Sequence, residues 1–310
     1  VFDLTWLTSM LRKTNKGMDY IPCQRTRASH ILKGIFSISA PIAIADFISV
    51  ILRFANSIFI PRKLMEVGYS NSQAVSTLGR ISGMAMPLIA FPFIVTGAIV
   101  INLVPNLSEN MALKRYDRVK KDINFSLKMT LLAAIPLTGI YLLYAYDLGY
   151  FIYEDMEVGH FIRAMSFGTI FMALEHTFSG ILNGLNKQVA ATRNRLIGLA
   201  IQVGCIYALI GNPKFGINGF FVGFFLSGIV IFILDNITIR RKVKLKVNIK
   251  DILLKPILAT MITIIAIHYS ANILKEIIAK DSLGFYISLG IGGVVYAVTL
   301  FNLRAFPKSK

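Results

Sequence analysis

The chain has 310 residues, of which 55% are hydrophobic and 16% are charged, whereas about 25% of the residues in an ordinary soluble domain are charged. Long apolar runs alternate with short basic clusters, which is typical of a polytopic α-helical membrane protein. This pattern excludes a soluble enzyme and a disordered regulator. The two cysteines, Cys23 and Cys205, are too few to staple a small secreted domain.

Eight apolar segments follow one another along the chain, and most exceed the roughly 20 residues that cross a bilayer. We therefore predict an all-α fold, a polytopic transmembrane bundle with about eight complete spans. The hydrophobic start, Val1–Leu11, is too short to span and is expected to be the end of a truncated helix. The eight segments are Ile31–Ile60, Leu78–Leu103, Phe125–Tyr146, Phe161–Leu185, Leu196–Ile210, Ile217–Ile239, Ile252–Leu274 and Leu283–Leu303.

Lysine and arginine concentrate in every second connection between these segments. One set of alternating connections, together with the C-terminal tail, holds 25 of the 33 basic residues, and the connections between them hold 6. The other two, Arg53 and Arg80, lie inside apolar segments. By the positive-inside rule, the basic connections and the C-terminus are expected to be cytoplasmic. The net charge of +17 is then explained by topology and by attraction to membrane lipids. Nucleic acid is not an expected partner, because no aromatic stacking platform accompanies the charges.

The first complete segment carries a polar stripe formed by Ser39, Asp46, Ser49, Arg53 and Asn56. Their spacing places them on one face of a helix. A charged side chain at the bilayer centre costs about 2.5–3.5 kcal/mol on insertion scales. The stripe is therefore predicted to line the bundle interior or a wet cavity. The alternative is that these side chains only fix the packing of neighbouring helices.

The second segment begins with Arg80 and contains Pro87 and Pro92 within six residues. Because proline lacks an N–H and bends a helix, a break is predicted here, either as a static kink or as a hinge. Arg80 is a candidate for the cavity, and otherwise it is expected to reach lipid phosphate at the outer helix end.

Polar residues also lie deep in later segments. Glu175 and His176 are adjacent in the fourth segment and are candidates to couple a proton or a cation. A hydrogen-bonded packing role is an equal alternative. Gln202 lies at helical spacing from Thr192 and Arg195 and is expected to face the same interior.

Small residues recur every four positions in two later segments, and such ridges allow close helix contact. One ridge is Gly219, Gly223 and Ser227, and the other is Gly284, Ser288 and Gly292. The stretch Asn106–Asp122 instead mixes apolar and basic residues and predicts a short helix lying on the inner membrane face. The histidines lack metal-ligand spacing and there is no Walker lysine loop, so we expect no metal, no cofactor and no catalytic residue.

Three stretches resemble a known family. Together they are similar to the stage V sporulation protein B family of polysaccharide-transport proteins, within the multidrug/oligosaccharidyl-lipid/polysaccharide flippase superfamily. The stretches are ANSIFIPRKL at 55–64, LGRISGMAMPL at 78–88 with its continuation through Phe91, Pro92 and Thr96 to Glu109, and GILNGLNK at 180–187.

The resemblance implies a fold of about fourteen helices, with two six-helix lobes around a central cavity and two further helices. This chain would supply the second lobe and the final pair. The expected order is a first-lobe helix end (1–11), a cytoplasmic basic linker (12–32), the second lobe (33–239), a basic cytoplasmic loop (240–251), the final two helices (252–303) and a cytoplasmic tail (304–310).

The resemblance also implies that a lipid-linked oligosaccharide or peptidoglycan precursor is flipped across a bacterial cell membrane by alternating access, for spore cortex formation. Cell-wall synthesis proteins are possible partners under this implication. Flippase relatives bind pyrophosphate with cationic cavity residues, a role that we carry over to Arg53 and Arg80. The alternatives are an ion-coupled multidrug exporter, a non-transport scaffold for cell-wall synthesis and an intramembrane glycosyl- or acyltransferase.

Overall fold

The computed structural model describes residues 28–243, 249–277, 281–303 and 305, and these residues form helices without any strand. The predicted all-α fold is therefore confirmed. The expected helix end at 1–11, residues 12–27 of the linker, residues 244–248 of the basic loop and the tail apart from Ala305 lie outside the described residues. The chain divides into two compact units, Val1–Pro41 and Ile42–Lys310, and the candidate functional site lies within the second.

The helices of the described residues vary from one turn to 39 residues. Two π-helical segments, Arg80–Ala85 and Ile206–Ile210, directly follow α2 and α9. The helices are α1 (Ala28–Glu66), α2 (Asn71–Gly79), α3 (Met86–Ile89), α4 (Phe93–Ala112), α5 (Tyr116–Leu143), α6 (Ala145–Tyr153), α7 (Met156–Met165), α8 (Gly168–Gly184), α9 (Gln188–Cys205), α10 (Asn218–Lys242), α11 (Ile249–Ile277) and α12 (Asp281–Asn302).

By length and composition, six helices of the described chain could cross a membrane, and a bent pair raises the number to seven. The chain is thus a multi-pass membrane protein. The predicted segment Phe161–Leu185 is divided between α7 and α8, and α8 has only 17 residues. Its length falls short of the roughly 20 residues of a full span, so the count of eight spans stays a prediction.

The bent pair is the predicted break in the second segment. Asn71–Ile89 and Phe93–Ala112 meet at 56°, and the missing N–H of Pro92 leaves the carbonyl of Leu88 without its usual helical donor. The hydroxyl of Tyr141 donates to that carbonyl at 2.6 Å. The hydroxyl of Tyr153 donates to the carbonyl of Met84 at 3.0 Å. Two tyrosines from neighbouring elements therefore satisfy the backbone of the broken helix.

The short helix predicted over Asn106–Asp122 is wrong. Helix α4 continues to Ala112, and α5 begins at Tyr116 after a tight turn in which Lys114 has a φ of 56°. Two apolar residues of this stretch, Leu107 and Val119, are fully buried in the protein core, whereas Leu113, at the turn, is exposed. Leu107 and Val119 are therefore not available for a membrane surface, and the basic residues between them lie where two long helices meet.

The small-residue ridges are confirmed as contact surfaces. A Cβ atom added at Gly223 would lie 2.9 Å from the Cβ atom of Cys205, and one added at Gly292 would lie 2.4 Å from Ile267. Separations below about 3 Å leave no room for a side chain, so glycine allows these helix backbones to approach closely. The two contacts join α9 to α10 and α11 to α12.

Candidate functional site

A cavity of about 430 Å³ opens among α1, the broken helix, α8, α9 and α10. Three charged residues, Arg53, Glu175 and Arg195, line it. The polar part of the wall also contains Asn56, Ser57, Ser82, Gln202 and Ser227. Of the predicted site residues, the fold thus brings together Arg53, Asn56, Glu175 and Gln202, although they come from three different helices.

Helix α1 supplies one wall of the cavity through its polar stripe. Arg53 and Asn56 both line the cavity, three residues apart and therefore on one helix face. Ser49 is fully buried and donates a hydrogen bond to the carbonyl of Ala45 at 2.9 Å. This bond uses the only hydrogen of the Ser49 hydroxyl, and the side chain lies outside the cavity wall.

Asp46 forms an ion pair with Arg195 of α9, a residue 149 positions further along the chain. The pair uses one terminal nitrogen of the guanidinium, and both side chains keep part of their surface exposed. The Nε atom of Arg195 is buried and has no hydrogen-bond partner. Arg195 therefore belongs to the site, although sequence reasoning used it only as a spacing reference for Gln202.

Glu175 is influenced by charges of both signs. The positive charge of Arg195 and the negative charge of Asp235 both act on it. Asp235 lies on α10, is only 2% exposed, and accepts a hydrogen bond of 2.8 Å from the fully buried amide of Asn194. Sequence reasoning missed Asp235, although a lone acidic residue in an apolar segment is the same signal that singled out Asp46.

His176 is directed away from its neighbour Glu175. Its Nδ1 atom lies 2.8 Å from the hydroxyl of Thr96 on α4, and its ring stacks on Phe93 with the centroids 4.9 Å apart. Since successive residues of a helix are rotated by about 100°, adjacent positions face different helices. His176 is absent from the cavity wall, so the two predicted ion-coupling residues do not form one site.

Arg80 is placed outside the cavity wall, at the turn between α6 and α7. Its Nε atom lies 2.6 Å from Asp155, and its Nη1 atom lies 2.5 Å from Glu157. Asp155 also caps α7 by accepting a hydrogen bond from the backbone N–H of Glu157 at 2.9 Å. Burial raises the pKa of Asp155, but the hydrogen bonds from Arg80 and Glu157 and the charge of Arg80 outweigh it and hold that pKa below its usual value.

No group of three or more histidine, cysteine, aspartate or glutamate side chains in the described part of the chain could hold a metal ion. The site is a cavity within the helical bundle, lined by two guanidinium groups, one carboxylate, amides and hydroxyls. An arrangement of this kind can bind a ligand that carries an anionic, hydrogen-bonding group.

The comparisons with known proteins identify the family. The model of the MatE family matches residues 41–207, which is more than half of the chain. The chain belongs to the MatE family. This match begins within α1, contains the broken helix and α8, and continues through Arg195 and Gln202 of α9.

Two sporulation proteins of Bacillus subtilis (strain 168) resemble this MatE-family chain. Stage V sporulation protein B is 23% identical over 279 residues, which cover 89% of this chain and 53% of that protein. Sporulation protein YkvU is 20% identical over 238 residues, which cover 77% of this chain and 53% of that protein. The chain therefore spans about half the length of these relatives.

Two solved structures share the fold of the MatE-family chain. One is a MOP superfamily transporter from Pyrococcus furiosus, described as having a binding pocket of reverse polarity, with a TM-score of 0.56 and 13% identity. The other is a multidrug resistance MATE transporter in an outward-facing conformation, with a TM-score of 0.57 and 14% identity. Each alignment covers 92% of this chain and 70% of the other.

Proposed function

We propose that the protein is a flippase that moves a lipid-linked cell-wall oligosaccharide or peptidoglycan precursor across the membrane by alternating access. The observation that carries this proposal is the presence of two guanidinium groups, from Arg53 and Arg195, in one cavity of a membrane-spanning bundle. Guanidinium binds phosphate through parallel hydrogen bonds in a fixed planar geometry. The two arginines are therefore suited to the pyrophosphate of such a precursor.

The composition of the cavity wall suits a ligand that is polar at one end and apolar at the other. The polar head of the precursor must cross about 30 Å of hydrocarbon, and Asn56, Gln202 and the wall hydroxyls offer it hydrogen bonds. Phe171, Phe220 and Phe224 form an apolar part of the same wall. Under this proposal the prenyl chain stays against apolar surface while the head group occupies the polar side.

We place the protein in the bacterial cell membrane with its C-terminus in the cytoplasm, because basic residues concentrate in every second connection. The proposed partners are membrane lipids and cell-wall synthesis proteins that make or consume the precursor. The similarity to stage V sporulation protein B supports a role in spore cortex formation. Since the chain spans about half of that relative, the proposed activity is assigned to the whole natural protein.

A transport assay with a matched control tests the proposal. The natural protein is reconstituted in liposomes, and movement of a fluorescent lipid-linked precursor between leaflets is measured. Arg53→Ala and Asp46→Ala are each expected to abolish movement without reducing membrane insertion. Arg62→Ala, at an arginine of the same helix that lies outside the cavity wall, is expected to be neutral. Asp46 is tested because it forms the ion pair with the cavity residue Arg195. Normal movement with both variants would remove the cavity from the mechanism.

An ion-coupled multidrug exporter is the second candidate, and the aromatic and acidic parts of the cavity wall favour it. Glu175 and the three phenylalanines would suit an apolar cation. This candidate predicts ion-driven efflux of cationic dyes that Glu175→Gln abolishes and Arg53→Ala preserves. The flippase proposal predicts that the protein does not export dyes and that Arg53→Ala abolishes movement of the lipid-linked precursor.

A further inference from the structure

We infer that an anionic phospholipid of the cytoplasmic leaflet binds in a basic crevice between α5 and α11, with its phosphate beside Lys121 and Lys255 and a headgroup hydroxyl beside Asn124. We define this inner crevice by five residues: Lys121, Asn124, Phe125, Lys128 and Lys255. None of them lines the cavity, and α11 begins beyond the residues that the family model matches. The inference therefore goes beyond the proposed transport function.

The packing of α5 against α11 places the inner crevice. Ile252 of α11 is buried in the same hydrophobic cluster as Ile123 of α5, and Ala259 is buried in a second cluster with Leu132. Because the two helices also pack directly against each other, the stretches between these two points run side by side. Both helices are long and apolar enough to cross a membrane, so the crevice lies at the edge of the hydrocarbon region.

Both helices carry lysines into this crevice. Lys121, Lys128 and Leu132 share one face of α5, at intervals of seven and four residues. Leu132 is buried in a cluster with α11, so this face of α5 is the one directed toward α11. On α11, Lys255 follows the buried Ile252 by three residues and lies on the same face. Positive charge is therefore concentrated between two helices of the bundle.

The neighbouring carboxylates of α5 have other contacts. Asp117 lies 3.4 Å from the Nζ atom of Lys120. Asp122 accepts a hydrogen bond of 3.4 Å from the amide of Asn110 on α4. These two acidic side chains are therefore directed to partners outside the inner crevice, which keeps its positive charge and attracts an anion.

Exposed apolar side chains accompany the lysines. Phe125 lies between Lys121 and Lys128 along α5 and is 42% exposed, and Leu254, next to Lys255, is 55% exposed. A soluble anion would contact only the charges. A phospholipid would contact both, because its phosphate attracts lysine while its acyl chains pack against apolar side chains.

Asn124 indicates the chemistry of the head group. It lies one turn from both Lys121 and Lys128 on α5, and its buried Oδ1 atom has no hydrogen-bond partner among the described residues. A buried acceptor without a donor destabilises a protein. The phosphate of a lipid offers no donor, whereas a glycerol head group offers hydroxyls that reach this oxygen once the amide turns toward the crevice.

Lipid titrations followed by native mass spectrometry test the inference. The natural protein, freed of lipid in detergent, is titrated with phosphatidylglycerol, with phosphatidylethanol, which has the same charge but no headgroup hydroxyl, and with zwitterionic phosphatidylcholine. We expect phosphatidylglycerol to bind about tenfold more tightly than phosphatidylcholine and about threefold more tightly than phosphatidylethanol. Glycerol phosphate, which has the head group without acyl chains, is expected not to compete.

The variants separate the contributions of charge and hydrogen bonding. Lys121→Gln and Lys255→Gln, on different helices, are each expected to weaken phosphatidylglycerol about fivefold. Lys114→Gln is the matched control, because Lys114 is an exposed basic residue at the turn between α4 and α5. Asn124→Ala is expected to remove only the preference for phosphatidylglycerol over phosphatidylethanol. Lys255→Gln alone carries the test of charge if Lys121→Gln does not fold.

Equal losses with Lys114→Gln and Lys255→Gln would overturn the inference, because they would show diffuse attraction to the whole basic surface. Phosphatidylcholine bound as tightly as phosphatidylglycerol would also overturn it. Competition by glycerol phosphate would overturn the lipid as the source of the phosphate. Since binding is measured without transport, these outcomes are independent of the proposed function.

Discussion

Arg80 and Arg195 are both arginines near or within the membrane-spanning bundle, but their surroundings differ. At the turn between α6 and α7, Arg80 contacts two carboxylates and lies outside the cavity wall. In the cavity, Arg195 contacts one carboxylate and keeps a buried nitrogen without a partner. An arginine paired with two carboxylates, such as Arg80, holds helices together. An arginine such as Arg195, which lines a cavity and has a nitrogen without a hydrogen-bond partner, can still bind a ligand.

The elements around Arg80 form a clamp on the broken helix. We define the outer clamp as Arg80, Asp155 and Glu157 together with Tyr141 and Tyr153. Its ion pairs and tyrosine hydrogen bonds fasten the broken helix to α5, α6 and α7. The opposite side of that helix lines the cavity. The prediction left a static kink and a hinge open, and the clamp favours a static kink.

Arg80→Gln is expected to have the largest effect among changes to the outer clamp. It leaves two partly exposed carboxylates without a cation, and it should lower the free energy of unfolding by about 1–2 kcal/mol. Thermal or denaturant unfolding in detergent measures the change. Arg163→Gln is the control, because the guanidinium of Arg163 lies over the ring of Tyr146, 5.8 Å from its centroid, and forms no ion pair with any described residue. Ligand affinity should not change. A loss of affinity without a loss of stability would instead place Arg80 in the binding machinery.

Tyr141→Phe tests the hydrogen bond that satisfies the broken helix. The change removes only the hydroxyl that donates to Leu88, and it is expected to cost about 1 kcal/mol, because the carbonyl keeps its bond from the N–H of Phe91 at 3.0 Å. Hydrogen exchange of the Ala90–Val95 amides should rise. Tyr150→Phe, at an exposed position, is the control. Unchanged exchange with Tyr141→Phe would mean that the kink does not depend on the clamp.

Acidification is expected to have the smallest effect. Because the pKa of Asp155 is lower in the folded protein than its ordinary value of 3.8, its ion pair stabilises the fold fully above that value. The stabilisation is lost as the pH falls through the lower, folded pKa. The difference in the free energy of unfolding between the wild type and Asp155→Asn should therefore shrink as the pH is lowered from about 5 to about 2.5. A constant difference over the whole pH range would show that the charge of the Asp155 carboxylate contributes nothing to the stability of the fold.

Several features of the fold could be predicted from local sequence signals. Pro87 and Pro92 predicted the break, and the glycine ridges predicted close helix contacts, because both effects operate within a few residues. The polar stripe of α1 predicted that Arg53 and Asn56 share a face, and both line the cavity. The interfacial helix failed because amphipathic spacing does not say whether an apolar face meets lipid or protein.

The pairing of the charged side chains could not be predicted. Asp46 and Arg195 are 149 residues apart, and Arg80 and Asp155 are 75 residues apart. Glu175 and His176 are adjacent in the sequence but do not belong to one site, because successive residues of a helix face different neighbouring helices. Asp235 gave a usable signal, since a carboxylate in an apolar segment is costly without partners.

The sequence by itself determined that this protein is a helical, multi-pass membrane protein, where its main break lies, and which residues of α1 share a face. Hydropathy, proline geometry and helical period are local properties, and they act in the same way wherever a segment is placed. Only the tertiary structure decided that Arg195 belongs to the cavity and that Arg80 belongs to the outer clamp. Whether a buried charge is satisfied depends on neighbours from distant parts of the chain, and packing alone selects those neighbours.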